Sequence, residues 1–207
     1  AALTGTLKIS EGISGFANSA IWLIVGAFLF SRGFIKTGLG KRIAYNLISA
    51  FGSSSLRLAY ALALSDLILA PATPSNTARV GGVIMPITTS LAKAFGSEPQ
   101  DGPRKIGSFL MQSIYQVNTI TSAMFQTSMA GNTLVAALAL QSFGIGITWG
   151  DWAMAAIVPG IIALIIMPYF IYKVYPPEIK DAREAQQMVC EELKGLGKMS
   201  FQEWIML

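Results

Sequence analysis

Long uncharged apolar runs, separated by short polar segments that carry the cations, set the rhythm of this chain. Residues 13–30, 106–150 and 152–172 contain no Asp, Glu, Lys or Arg. A helix that crosses a bilayer core needs about 20 mostly apolar residues, so these runs read as membrane segments. The pattern predicts a first span over residues 13–30. It then predicts an interfacial amphipathic helix over 38–51, where Ile43, Leu47 and Ile48 recur at helical spacing beside Lys41 and Arg42. Residues 55–95 are apolar but are interrupted by Pro71, Pro74 and the polar run Ser75-Asn76-Thr77. Two prolines and a polar cluster cannot continue a helix, so a helical hairpin with its tip near residues 73–78 is expected.

The uncharged run 106–150 would be about 68 Å long as one helix, more than twice the hydrocarbon thickness. A broken helix over 108–142 is therefore predicted, with the break in the polar cluster from Gln126 to Thr133. A last complete span is placed at 153–174, with Trp149 and Trp152 as interfacial anchors. The expected layout is a membrane domain over 1–175, a polar linker over 176–199 with a helix around 181–194, and the start of another transmembrane segment at 200–207. Ser200 and Glu203 form a capping-box pattern there.

Charge fixes an orientation. Arg32, Lys36, Lys41, Arg42 and Arg57 form one cationic cluster, Lys93, Arg104 and Lys105 a second, and Lys173, Lys180, Arg183, Lys194 and Lys198 a third. Only Lys8 and Arg79 of the 15 fall elsewhere. All three clusters lie on one side if the hairpin returns to its own side, a strong positive-inside pattern. That pattern is the same whether the hairpin is re-entrant or crosses fully. Composition agrees with a membrane protein: 53% of residues are hydrophobic and 13% charged, against about 25% charged in soluble domains. The net charge of +4 reads as membrane orientation rather than nucleic-acid binding, because no basic stripe with interleaved aromatics is present. With no histidine and only Cys190, a His/Cys metal cluster, an internal disulfide and Ser–His or Cys–His catalysis are excluded within this chain.

Two places invite chemistry. Ser75, Asn76 and Thr77 offer hydroxyls and an amide between two short helices, whose N-termini carry partial positive charge suited to a carboxylate. The break from Ser128 to Thr133, with Gly131, Asn132 and Thr133, is irregular backbone at membrane depth, tolerated where protein buries it or a cavity wets it. Two interrupted segments point to a transporter site near the bilayer midplane. The same clusters would also suit plain turns between spans. Arg79 and Asp66 are the only charges between Arg57 and Lys93, and ionisable residues inside membrane segments are costly and usually functional. Asp66 is a candidate partner for Arg79 or marks the aqueous end of a hairpin arm. Gln112, Gln116 and Asn118 either face a pathway or join helices.

The run Pro74-Ser75-Asn76-Thr77-Ala78-Arg79, followed after Val80 by Gly81-Gly82-Val83-Ile84-Met85-Pro86, resembles the first signature of the divalent anion:sodium symporter (DASS) superfamily. Tyr175-Pro176-Pro177-Glu178-Ile179-Lys180, Glu203-Trp204-Ile205-Met206 and Phe51-Gly52-Ser53-Ser54 resemble its branch of citrate/succinate-type exchangers and plastid 2-oxoglutarate/malate translocators. The resemblance implies an all-α integral membrane fold. Each of two inverted repeats would hold a re-entrant hairpin and a broken transmembrane helix. It implies carboxylate contacts at Ser75, Asn76 and Thr77, with Asn132 and Thr133 across from them. It also implies a cation site at Ser75, Asn76 and the break near Gly131, for which Na+ is the candidate ion and no other cofactor is expected. One triplet is present, so the second repeat is expected outside this chain. A homodimer in a bacterial inner membrane or plastid inner envelope is the expected assembly.

Sodium-coupled members often place a serine four residues before the triplet serine, where this chain has Pro71. Arg79 is therefore expected to replace part of the mobile cation charge and to lack compensation until an anion binds, which would favour exchange. The reading at this stage is a carrier of di- or tricarboxylates, by exchange or by sodium symport. A membrane-embedded enzyme lacks the acid pair, histidine or metal cluster it would need. A purely structural membrane subunit remains a rival, and would tolerate apolar residues at both interruptions.

Overall fold

The computed structural model describes residues 4–6, 8–12, 14–17 and 19–206. Eleven α-helices follow one another among the described residues: α1 Ile9–Gly12, α2 Ser19–Thr37, α3 Leu39–Phe51, α4 Ser55–Leu69, α5 Asn76–Arg79, α6 Met85–Ala94, α7 Gly107–Met124, α8 Ala130–Phe143, α9 Trp149–Val174, α10 Arg183–Gly195 and α11 Phe201–Ile205. Among the described residues there is no strand, only an isolated antiparallel bridge between Ser54 and Asp181. Two stretches, Ser55–Ala72 and Trp149–Val174, are long and apolar enough to cross a bilayer.

The first predicted span is displaced. Ile13 lies outside the described residues, Ser14–Ala17 is a 3₁₀ turn, and the helix proper runs from Ser19 through Arg32 and Lys36 to Thr37. It stops at Gly38, whose φ of +81° is open to glycine at little steric cost. The chain then turns into α3, which buries Leu39, Ala44, Tyr45 and Ile48 along one stripe.

Ser54 caps α4, its hydroxyl accepting from Arg57 N–H. Leu58, Ala59, Ala61, Leu62, Ala63, Ser65, Asp66 and Leu69 are all buried, so α4 is packed on most of its circumference. A 3₁₀ turn, Ala70–Ala72, ends it at the first proline. The backbone is extended at Thr73 and Ser75 and re-enters helix at Asn76. The second arm is α5, a π-helical turn Val80–Ile84, and α6. Pro86 supplies no N–H and its ring crowds the carbonyl four residues back, which favours the wider turn before it.

α9 shows a bilayer-like division of its surface. Gly160, Leu164, Pro168 and Ile171 are buried along one stripe, while Met154, Ile157, Val158, Ile162, Ile165, Ile166 and Phe170 are exposed. So continuous an apolar face marks contact with lipid or with further protein. α9 runs beside α7: Phe109 meets Tyr172 edge-on at 5.7 Å. At the far end of α7, Met124 lies against Gly160, where a Cβ would come within 2.6 Å of Met124 Cγ.

The segments bearing the three cationic clusters converge. Glu178 and Ile179 N–H donate to Arg104 and Lys105 carbonyls, Ser55 N–H to Lys180 O, and Ala182 N–H to Ser53 O. α10 lies on α3 through Ala185 and Val189, and Gln186 donates to Ser49 O at 2.6 Å. Arg42 closes this end, donating to Glu203 and to the carbonyls of Leu196, Gly197 and Lys198.

Candidate functional site

The two interruptions meet, and the residue that joins them is Arg79. It is completely buried. All five of its N–H groups have acceptors, a full use of the guanidinium fork. Nε donates to Asp66 Oδ1 at 2.8 Å. Nη1 donates to Thr73 O at 3.1 Å and to Ser128 O at 3.2 Å, so one nitrogen bridges the hairpin tip and the helix break. Nη2 donates to the hydroxyls of Thr121 at 3.2 Å and Ser122 at 3.1 Å, both on the last turn of α7. A further direct link is Thr127 Oγ1, which donates to Pro71 O at 2.7 Å.

Asp66 completes the post. Its Oδ2 accepts from the Thr121 hydroxyl and from Asn118 Nδ2. This overturns one expectation. Arg79 does not wait for an anion to compensate it, because the Asp66 carboxylate already does so within a buried ion pair. Asn118 is a helix-joining residue through the same carboxylate, while Gln112 and Gln116 lie away from the junction, on the wall of a cavity of about 830 Å³ between α6, α7 and α9.

The break itself is self-sufficient. α7 ends with carbonyls that have no partner in their own helix, and α8 begins without a side-chain cap. Asn132 Nδ2 reaches back to Ser122 O at 2.7 Å and Phe125 O at 2.9 Å. The Ser128 hydroxyl faces the same two carbonyls, and Thr133 Oγ1 donates to Gln126 O at 3.2 Å. The donors of Asn132 and Thr133 are thus spent on the backbone of the break and are not free for a ligand, a correction to their placing as substrate contacts. Gly131 stands half-buried in the first turn of α8. Trp149 and Trp152 clamp the break: Trp149 Nε1 donates to Thr127 Oγ1 and its ring stacks on Phe125, and Trp152 Nε1 donates to Ala123 O.

The triplet lies at the edge of this junction. Ser75 caps α5, its Oγ accepting from Ala78 N–H at 3.2 Å. Asn76 Oδ1 accepts from Thr77 N–H at 2.9 Å. Among the described residues the Asn76 amide nitrogen has no hydrogen-bond partner, and Thr77 is exposed. No hydrogen bond among the described residues joins Ser75, Asn76 or Thr77 to Asn132 or Thr133. What the structure brings together is Pro71 and Thr73 with Thr127 and Ser128. Thr121 and Ser122 escaped sequence reasoning. The available signal was their place one turn beyond Asn118, on the same uncharged helix.

Comparison with known proteins gives this geometry a family. The whole chain, residues 1–207, matches the model described as "Sodium:sulfate symporter transmembrane region". It is 56% identical over its full length to "Putative malate transporter YflS" of Bacillus subtilis (strain 168), covering 43% of that protein. It is 49% identical, over 99% of the chain, to "Dicarboxylate transporter 1, chloroplastic" of Spinacia oleracea, of which it covers 36%. With "L-tartrate/succinate antiporter" of Escherichia coli (strain UTI89 / UPEC) it shares 40% identity over 97% of the chain and 41% of that protein. The chain thus spans about two fifths of the length of these relatives, which are transporters and not enzymes. Its hairpin signature and its match along the entire sodium:sulfate symporter transmembrane region make the chain a member of the divalent anion:sodium symporter superfamily.

Proposed function

We propose that the full-length protein is a secondary carrier that moves di- or tricarboxylate anions across a membrane by alternating access, and that this chain is part of its first inverted repeat. The carrying observation is the junction: Arg79 ties hairpin tip to helix break by one nitrogen and leaves Ser75, Asn76 and Thr77 at its edge. Relatives named as malate and dicarboxylate transporters and as a tartrate/succinate antiporter support the substrate class.

The hairpin is proposed to be re-entrant. Its first arm gives way at Ala70–Ala72 to extended backbone that is tied to the helix break through Thr73 O and Pro71 O, which favours a tip held inside the fold. Its tip is tied to a break that protein surrounds, with Met124 against Gly160 and Trp149 donating to Thr127, a setting in which irregular backbone is tolerated at membrane depth. Residues 176–199 are proposed as a cytoplasmic linker, residues 200–207 as the start of the next span, and the assembly as a homodimer in an inner or plastid envelope membrane.

In this reading carboxylates are held by the Ser75 and Thr77 hydroxyls and the Asn76 amide. The oxygens that a sodium ion would use at the junction each already accept a hydrogen bond from protein. Thr73 O and Ser128 O already accept from the guanidinium, Ser75 O accepts from Arg79 N–H, and Asn76 Oδ1 is engaged by Thr77 N–H. A relative named as a tartrate/succinate antiporter supports exchange as the mode of transport. The family description names sodium symport, and that is the second reading. Counterflow of labelled succinate in liposomes holding the full-length protein separates the two. Exchange predicts uptake that internal anion accelerates and that ignores sodium; strictly sodium-dependent uptake indifferent to internal anion contradicts it. Asn76→Ala is expected to abolish uptake, and unchanged uptake would leave a structural role only.

A further inference from the structure

We infer that Asp66 is a positioning residue that sets the charge of the tip–break junction, so that this half of the site is electrically neutral when no anion is bound. The inference rests on the transport reading above.

Asp66 stands on α4, 13 residues before Arg79, and is 2% exposed. One oxygen takes Arg79 Nε; the other takes Thr121 Oγ1 and Asn118 Nδ2. Every guanidinium N–H is engaged by protein, so Arg79 offers an anion no hydrogen bond, only its field. The carboxylate cancels that field over a single hydrogen bond inside the fold. A buried charge without a partner is costly to hold in an apolar medium. With Asp66 in place, the empty junction escapes that cost when it changes sides. Without it, the transported anion would become the only counter-charge within reach.

Asn is close to Asp in shape and keeps an acceptor for Nε, so Asp66→Asn removes the charge with little change of form. In liposomes holding the full-length variant, the KM for succinate exchange is expected to fall about five-fold, the effect of one unscreened charge some way from the ligand. Net efflux of succinate into anion-free medium is expected to fall relative to exchange by a similar factor. Arg79→Gln leaves the carboxylate alone and is expected to raise the KM about five-fold, in the opposite direction. Asp66→Glu, which keeps the charge, is expected to restore the exchange-to-efflux ratio that Asp66→Asn changes. A purely structural role moves both neutral variants the same way and leaves that ratio unchanged; either result overturns the inference. If Asp66→Asn does not fold, Asp66→Ser, which also removes the charge, takes its place in the same comparison with Arg79→Gln. A wild-type protein that transports no carboxylate sinks the transport reading. A transporting wild type without opposed KM shifts sinks only the role of Asp66.

Discussion

Two arginines tie distant segments of this chain together, and they do so in different surroundings. The side chains of Arg79 and Asp66 are 0% and 3% exposed, whereas those of Arg42 and Glu203 are 12% and 6% exposed. Arg42 collects the carbonyls of Leu196, Gly197 and Lys198 just beyond α10, and so acts on a helix end that water can also reach. Arg79 collects the carbonyls of two interruptions and two hydroxyls that have no access to water. The first is a clasp between the linker and α3. The second is an internal cation that makes irregular backbone tolerable inside an apolar fold. Surroundings, rather than the number of bonds, decide what each is worth.

The sharpest way to break that comparison is to remove each arginine in turn. Arg79→Met leaves Asp66 as an unpaired buried carboxylate and is expected to cost about 3–5 kcal/mol. Arg42→Met frees carbonyls at the exposed residues Leu196, Gly197 and Lys198 along with the Glu203 carboxylate, and is expected to cost roughly 1–2 kcal/mol. Thermal unfolding of the full-length protein in detergent measures both, and equal losses would erase the distinction. Asn132→Leu tests whether the break depends on its own side chains. It strips donors from Ser122 O and Phe125 O and is expected to destabilise by about 2 kcal/mol. Gly160→Val tests the contact between the end of α7 and α9. Met124 must move, at about 1–3 kcal/mol, and transport is expected to fall with it. Thr127→Val removes the donor to Pro71 O, a smaller effect of about 1 kcal/mol on the same melting curve.

The positions of both interruptions were legible in the sequence for a physical reason. Pro71 and Pro74, three residues apart and followed by the polar run Ser75-Asn76-Thr77, disfavour continuous helix, and a 45-residue uncharged run is too long to be one span. Side-chain partners were not legible. Asp66 and Arg79 are 13 residues apart across a turn, and nothing in spacing says whether a buried arginine meets a carboxylate of its own chain or waits for a ligand. That ambiguity is why Arg79 was expected to be uncompensated. Asn132 and Thr133 misled in a related way. Polar residues beside a break read as ligand contacts, yet the orphan carbonyls of α7 have first claim on their donors. The start of α2 was misplaced because the apolar run around residues 13–18 is uncharged but dotted with Gly, Ser and Asn, which favour turns over helix.

The central claim is that the exposed edge of the tip–break junction is where a carboxylate is held. Labelling of a Thr77→Cys variant tests it most directly, in full-length protein with Cys190 and any other cysteine replaced by serine. Succinate is expected to slow reaction of that thiol with a membrane-impermeant maleimide in a concentration-dependent way that follows the KM for transport. A labelling rate untouched by saturating succinate, in a variant that still transports it, would contradict the account.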